Sequence, residues 1–264
     1  MENCEIIDKG THLVVVNTNP RRRNALSAGF YAGLRAALDQ AAADPRIAAV
    51  VLTGAEGFFC AGGDVNLLMT AQTMSEDARR ARIGDLAGLI AGIMDCPRPV
   101  IAAVEGGAAG AGFSLSMACD LIVAAEQADF TAAYVTAGLV PDGGLTGSLV
   151  GALPPALAAE LCLTGRPVAA TRLHALGAIN AVVRAGEALA AAEAMAVGLA
   201  QGPAVAQAAI KALIVGARRQ LMDRQLAAEV APMAAALAAP EAAEGIAAFL
   251  GKRPPDFARL RRGD

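Results

Sequence analysis

The sequence predicts an α/β fold with a largely parallel sheet and a helical C-terminal region. Three observations carry this. Apolar runs rich in β-branched residues recur through the first half, and two of them enter glycine-rich loops. Segments with helical apolar spacing separate those runs. From residue 141 onward, Ala/Leu-rich helical stretches dominate, and only 181–183 looks extended. Alternation of strand, loop and helix belongs to α/β proteins whose ligands sit where strand ends meet loops. An α/β core over 1–200 and a helical region over 201–264 are expected.

Taken in order, HLVVVN (12–17) reads as a buried strand, followed by a polar turn over 18–24. Ser27 suits a helix N-cap, and Phe30, Leu34, Leu38 and Ala41 then share one helical face, which Asp44-Pro45 ends. IAAVVLT (47–53) is a second strand. It runs into 54–63, a loop with four glycines. A charged helix is expected over 75–94. PVIAAV (99–104) is a third strand, entering the glycine-rich stretch 106–112. A helix over 115–118 and a strand at LIVAA (121–125) complete the alternation.

Composition excludes several classes. Apolar residues make up 55% of the 264, much of it alanine, and there is no Trp, so closely packed helices are expected. A net charge of −3 offers no field for nucleic acid or an anionic membrane. Five scattered cysteines form no CxxC pair, and His12 and His174 are the only histidines. Metal sites and disulfide frameworks are therefore poorly supported, and buried thiols in a reducing compartment are the simpler reading. The N-terminus carries early acidic residues and no apolar signal core. The longest uncharged runs are broken at Pro154-Pro155 and Gly202-Pro203, so a cytoplasmic protein is expected.

Two segments suit anion chemistry. In Phe58-Phe59-Cys60-Ala61-Gly62-Gly63-Asp64, small residues follow a strand and Asp64 is placed to cap a helix. In Gly106-Gly107-Ala108-Ala109-Gly110-Ala111-Gly112, another strand gives way to another helix. The second stretch does not supply a GxGxxG dinucleotide fingerprint. Two small-residue loops on adjacent strand ends can aim two N–H donors at one developing oxyanion. Ordinary tight strand-to-helix turns would read the same way. The cluster Arg21, Arg22, Arg23 is either a solvated loop or a phosphate contact.

Together these motifs resemble the enoyl-CoA hydratase/isomerase (crotonase) family. The match runs through Asn24-Ala25-Leu26-Ser27, FFCAGGDVNLL (58–68), PVIAAVEGGAAGAGFSLSMACDLIVAA (99–125), AGLVPDGGLTGSLVG (137–151), LTGRPVAA (163–170) and EGIAAFLGKRPPDF (244–257). The resemblance implies a spiral of ββα units with a helical C-terminal trimerisation region, assembled as a homotrimer or a dimer of trimers. It implies an acyl-CoA thioester substrate and no redox cofactor or metal, CoA being part of the substrate. The oxyanion donors would be the amides of Gly63 and Ala111. Ala25, Ala61 and Val65 would line the adenine and pantetheine path, with Arg23 near the phosphates. Gly62, Asp64, Gly110 and Tyr134 complete the implied substrate-binding set. Phe249 and Lys252 match positions that reach a neighbouring subunit's CoA.

The sequence departs from the family's hydratases at their two catalytic glutamates, where it has Ser114 and Tyr134. Neither is a carboxylate. Asp142, in Val140-Pro141-Asp142-Gly143-Gly144, resembles the lone acid/base of the Δ3,Δ2-enoyl-CoA isomerase and phenylacetate-pathway branch. Its plainer reading is a helix N-cap. Ser114 lacks a nucleophile elbow and a nearby His, Tyr134 either donates to substrate or lines the pocket, and a surface position is the default for Glu105. An isomerase using Asp142 is expected. A hydratase with atypical groups and a non-catalytic CoA-thioester binder are the alternatives.

Overall fold

The computed structural model describes residues 2–262. Strand β1 (Cys4–Asp8) pairs antiparallel with β2 (His12–Asn17). β2, β3 (Ala49–Gly54), β4 (Val100–Val104), β6 (Leu121–Ala125) and β9 (Ala181–Val183) continue the sheet in parallel. The order β1-β2-β3-β4-β6-β9 makes six strands. β3 and β4 are buried almost throughout, as apolar runs covered on both faces should be. A second sheet, β5-β7-β8, joins Gly107–Ala109, Asp129–Thr131 and Pro167–Ala169.

Helix α1 (Ala28–Ala43) begins where Ser27 Oγ accepts the Phe30 amide at 3.1 Å, and it buries Phe30, Leu34, Leu38 and Ala41. α2 (Val65–Ala71) and α3 (Glu76–Asp95) follow the first glycine loop. α4 spans Ala111–Ala118, starting four residues earlier than its apolar pattern indicates because glycines conceal its first turn. α5 (Leu145–Ala152) and α6 (Pro155–Thr164) pack on one another, α7 (Ala170–Ala175) touches both β8 and β9, and α8 (Ala188–Ala200) covers a face of the main sheet. α9 (Ala204–Ala238), α10 (Pro240–Leu250) and α11 (Phe257–Arg262) form the helical C-terminal part.

Among the described residues no single helix is long and apolar enough to cross a membrane, and α8 and α9 are bent by 115° at their junction. α8 packs Ala188, Ala192 and Ala196 against the sheet residues Val14, Val51, Ile101 and Val123. Glu105 is not a surface residue: its carboxylate accepts the Ala188 amide at 2.9 Å and so caps α8 from the end of β4. The cysteines form no disulfides, four of them are buried, and no cluster of three metal-ligating side chains occurs among the described residues.

Candidate active site

The segment Cys60–Gly63 is held from both sides. The Ala61 amide donates to the Arg23 carbonyl at 2.9 Å, and the Leu26 amide donates to the Gly62 carbonyl at 2.8 Å. On the other flank, the Ala109 amide donates to the Cys60 carbonyl at 2.9 Å. Buried Asn24 braces the loop from behind, its amide donating to the carbonyls of Ala55 at 2.8 Å and Phe58 at 2.6 Å. These bonds use the backbone of Cys60, Ala61 and Gly62. In the second loop, the Gly110 amide is taken by the Thr131 carbonyl at 2.9 Å. The amides of Gly63 and Ala111 donate to no protein group among the described residues.

The two loops touch at Gly62. Its φ is +91°, and a Cβ built there would lie 2.7 Å from the Ala109 carbonyl oxygen and 3.1 Å from the Ala111 nitrogen. Ala111 opens α4, so its amide also lies at the positive end of that helix. At Gly112 a Cβ would meet the Cys60 carbonyl oxygen at 2.3 Å. Glycine at these two positions lets the two loops pack backbone against backbone.

A cavity of about 150 Å³ opens beside these amides, lined by Ala61, Gly63, Val65, Gly110, Ala111, Tyr134 and Asp142, with Phe249 at its rim. A second, of about 190 Å³, shares Gly63, Leu68, Ala111, Asp142 and Met233, then runs toward Tyr31, Arg82 and Leu86. Their shared residues make them one cleft. A larger cavity of about 270 Å³ lies elsewhere, around Cys119–Leu121 and α9. There Lys211 is spent on Asp120 at 2.6 Å and on the carbonyls of Ile93 and Arg98, each at 3.0 Å.

Of the residues singled out by sequence, Arg23, Ala25, Gly62 and Lys252 lie off the cleft lining. Arg23 is exposed and stacks over the Phe58 ring at 5.3 Å, in a shallow depression with Pro20 and Gly106. Ala25 and Gly62 are buried, and Lys252 is exposed. Asp64 lines the second cavity and caps α2, accepting the Asn66 amide at 3.0 Å and pairing with Arg22. Phe249 borders the cleft of its own chain.

Asp142 is not a helix cap. α5 starts after Gly144, and the side chain of Asp142 turns into the cleft instead. Its Oδ1 accepts the Tyr134 hydroxyl at 2.8 Å. Ser114 Oγ lies 2.9 Å from that hydroxyl and donates to the Asp142 carbonyl at 2.8 Å. No other described residue donates to Oδ2, and the backbone amide of Asp142 itself also bonds the carboxyl. Only Asn17 Oδ1 among the buried polar side-chain atoms of the described residues is sealed without a partner, so Oδ2 opens on the cavity. Burial pushes the Asp142 carboxyl up to about 7; the nearby Glu229 charge adds to the rise and the Tyr134 bond opposes it. Burial also carries the Tyr134 hydroxyl well above its usual range. It pushes the Cys60 thiol up to about 12, too high for a thiolate nucleophile at neutral pH.

The cap that Asp142 does not supply comes from Glu229, which sequence reasoning missed. From α9 its Oε2 accepts the Gly144 amide at 2.7 Å, and Oε1 accepts the Thr146 hydroxyl at 2.6 Å and amide at 3.2 Å. An acidic residue in an Ala-rich helix gives no sign that it reaches a turn 85 positions earlier. Glu229→Ala would leave three donors unpaired in a buried site, so it is expected to lower stability by about 2–4 kcal/mol. An unchanged urea midpoint and slope would contradict this.

The family model described as enoyl-CoA hydratase/isomerase matches residues 9–260. The chain is similar to the 1,2-epoxyphenylacetyl-CoA isomerase of Escherichia coli (strain K12), at 34% identity over 95% of this chain and 96% of that one. It is also similar to the 2,3-dehydroadipyl-CoA hydratase of the same organism, at 32% identity over 96% of this chain and 97% of the relative. Among solved structures, an enoyl-CoA hydratase from Polaromonas sp. JS666 is 44% identical with a TM-score of 0.80, covering 96% of this chain and 98% of that chain. The mixed α/β architecture with its helical C-terminal part is the crotonase fold, and the chain is an enzyme of the enoyl-CoA hydratase/isomerase family.

Proposed function

We propose that the enzyme is a Δ3,Δ2-enoyl-CoA isomerase in which Asp142 is the single acid/base. The observation that carries this reading is the open Oδ2 of Asp142, which lines the same cleft as the two undonated amides of Gly63 and Ala111. In this reading the thioester oxygen accepts both amides. Asp142 Oδ2 takes a proton from C2, the charge spreads into a dienolate held by those amides, and the same oxygen returns the proton to C4. The balance is one proton moved and one double bond shifted, so no redox cofactor or metal is required.

The alternatives ask for more groups. Hydration of a conjugated bond needs water activated and a proton delivered, while Ser114 and Tyr134 are both engaged with Asp142. The portion of the cleft lined by Ala61, Val65 and Phe249 suits the pantetheine arm, and the portion toward Leu67, Ile83 and Leu86 suits the acyl group. Exposed Val205, Leu213 and Ile214 on α9 support the trimeric packing that the resemblance implies.

Incubation with a 3-enoyl-CoA should produce the absorbance of the conjugated thioester. Loss of conjugation from a 2-enoyl-CoA, with none gained from the 3-isomer, would replace isomerase by hydratase. Tight CoA binding without turnover of either would favour a binding protein. The base must be ionised, so kcat/KM is expected to rise with pH and level off above about 7, the value to which burial pushes Asp142. A rate that is flat from roughly pH 5 to 9 would contradict Asp142 as the base.

A further inference from the structure

We propose that Tyr134 and Ser114 are positioning residues for Asp142: Tyr134 commits Oδ1 to the protein so that Oδ2 alone exchanges protons with substrate, and Ser114 fixes the tyrosine hydroxyl and the Asp142 backbone together. The inference rests on reading Asp142 as the acid/base and deepens it.

Counting hydrogens supports the arrangement. Three short contacts join the group, beside a longer one from the Tyr134 hydroxyl to the Asp142 carbonyl at 3.3 Å: Tyr134 hydroxyl to Asp142 Oδ1 at 2.8 Å, Ser114 Oγ to the Tyr134 hydroxyl at 2.9 Å, and Ser114 Oγ to the Asp142 carbonyl at 2.8 Å. With Asp142 ionised, two hydroxyl hydrogens serve these three contacts. The carboxylate claims the tyrosine hydrogen, because it is the strongest acceptor present. Ser114 must then be the donor in its contact with Tyr134, sharing one hydrogen between that oxygen and the Asp142 carbonyl. Donation into the tyrosine oxygen polarises the phenol and strengthens its own donation to Oδ1. A proton arriving on Oδ2 requires none of these bonds to break. The pair therefore holds the carboxyl still through both halves of a proton transfer.

The three residues come from different elements. Ser114 is on α4, Tyr134 precedes the short turn Val135–Ala137, and Asp142 precedes α5. Gly143 lets them meet, since a Cβ there would sit 3.0 Å from the Ser114 Cβ and 3.1 Å from Leu86. Other titratable or charged groups face Asp142 from neighbouring elements. Glu229 approaches from α9, Tyr31 from α1, Arg82 and Asp85 from α3, and Asp64 with its partner Arg22 from the start of α2.

The test is the pH profile of 3-enoyl-CoA isomerisation by the full chain, measured for wild type, Tyr134→Phe, Ser114→Ala and Asp142→Asn. Tyr134→Phe removes a bond to the charged form of Asp142. The acidic limb of kcat/KM should then move upward by about one pH unit or more. kcat on the plateau should fall while KM changes little. Ser114→Ala should move the limb in the same direction by less. If both variants keep the wild-type limb, the pair does not act through Asp142 and the proposal is overturned, whatever happens to kcat or Tm. Should Tyr134→Phe fail to fold, Ser114→Ala carries the test alone, and an unshifted limb overturns it. Full turnover by Asp142→Asn is a separate outcome that removes the acid/base reading itself.

Discussion

Asp142→Asn is expected to lower kcat/KM for isomerisation by about 10²–10⁴-fold, the usual contribution of one positioned acid/base group, while the fold gains stability at alkaline pH. Asparagine keeps the shape and can still accept the Tyr134 hydroxyl, but it cannot take a proton from carbon. The stability change follows from burial. In the folded chain the Asp142 carboxyl lies near 7 rather than 3.8, so folding favours its neutral form. That preference is present in full below about pH 4 and is lost as pH rises through 7. Near pH 8 the wild type keeps a buried carboxylate ionised, at a cost on the order of a few kcal/mol. The asparagine variant carries no such charge. Its Tm should exceed that of wild type by several degrees near pH 8 and by little near pH 4. A Tm difference that is the same at both pH values would show that Asp142 is not held ionised against its surroundings.

Gly62→Ala is expected to lower kcat by about 10²–10³-fold, comparable to the loss of one oxyanion donor, with little change in CoA affinity. The methyl would meet the Ala109 carbonyl oxygen at 2.7 Å and the Ala111 nitrogen at 3.1 Å. Both are backbone atoms, so relief requires the loops to separate, and the Gly63 and Ala111 amides lose their common target. Gly57→Ala is the control. It has a φ of +73° and nothing within 4 Å of a built Cβ, so it carries the left-handed strain alone. Steady-state kinetics on both variants separates the effects. Wild-type kcat in Gly62→Ala would mean that the two amides do not act as a pair.

The strands legible in sequence are the ones that bury apolar, β-branched side chains, β2, β3, β4 and β6, together with half-buried β9, whose AVV run stands out against Ala/Leu-rich helical surroundings. β1 was not legible, because only Cys4 of its five residues is fully buried and its edge position leaves a mixed pattern. The second sheet was hidden for another reason. Its strands GAA, DFT and PVA are three residues each and carry little intrinsic preference, so their pairing is decided by contacts made after folding. The glycine loops were legible because close backbone approach demands small residues. The partner of Asp142 was not: nothing in the spacing of Ser114, Tyr134 and Asp142 tells that three hydroxyl and carboxyl groups converge. Asp142 also mimics a helix cap in sequence, and only the position of Glu229 removes that reading.

The convergence of positions 114, 134 and 142 has a consequence for how such sequences vary. Side chains at the first two positions lie within 3 Å of the Asp142 carboxyl or carbonyl. A carboxylate grafted at either position would crowd a second negative charge into the same buried volume, and the two groups would share one proton rather than ionise independently. Acidic residues at these positions should therefore exclude one another: a chain with the paired glutamates has no room for an ionised aspartate in the turn. Converting this enzyme toward water addition would accordingly require removing Asp142 in the same step that introduces the new carboxylates.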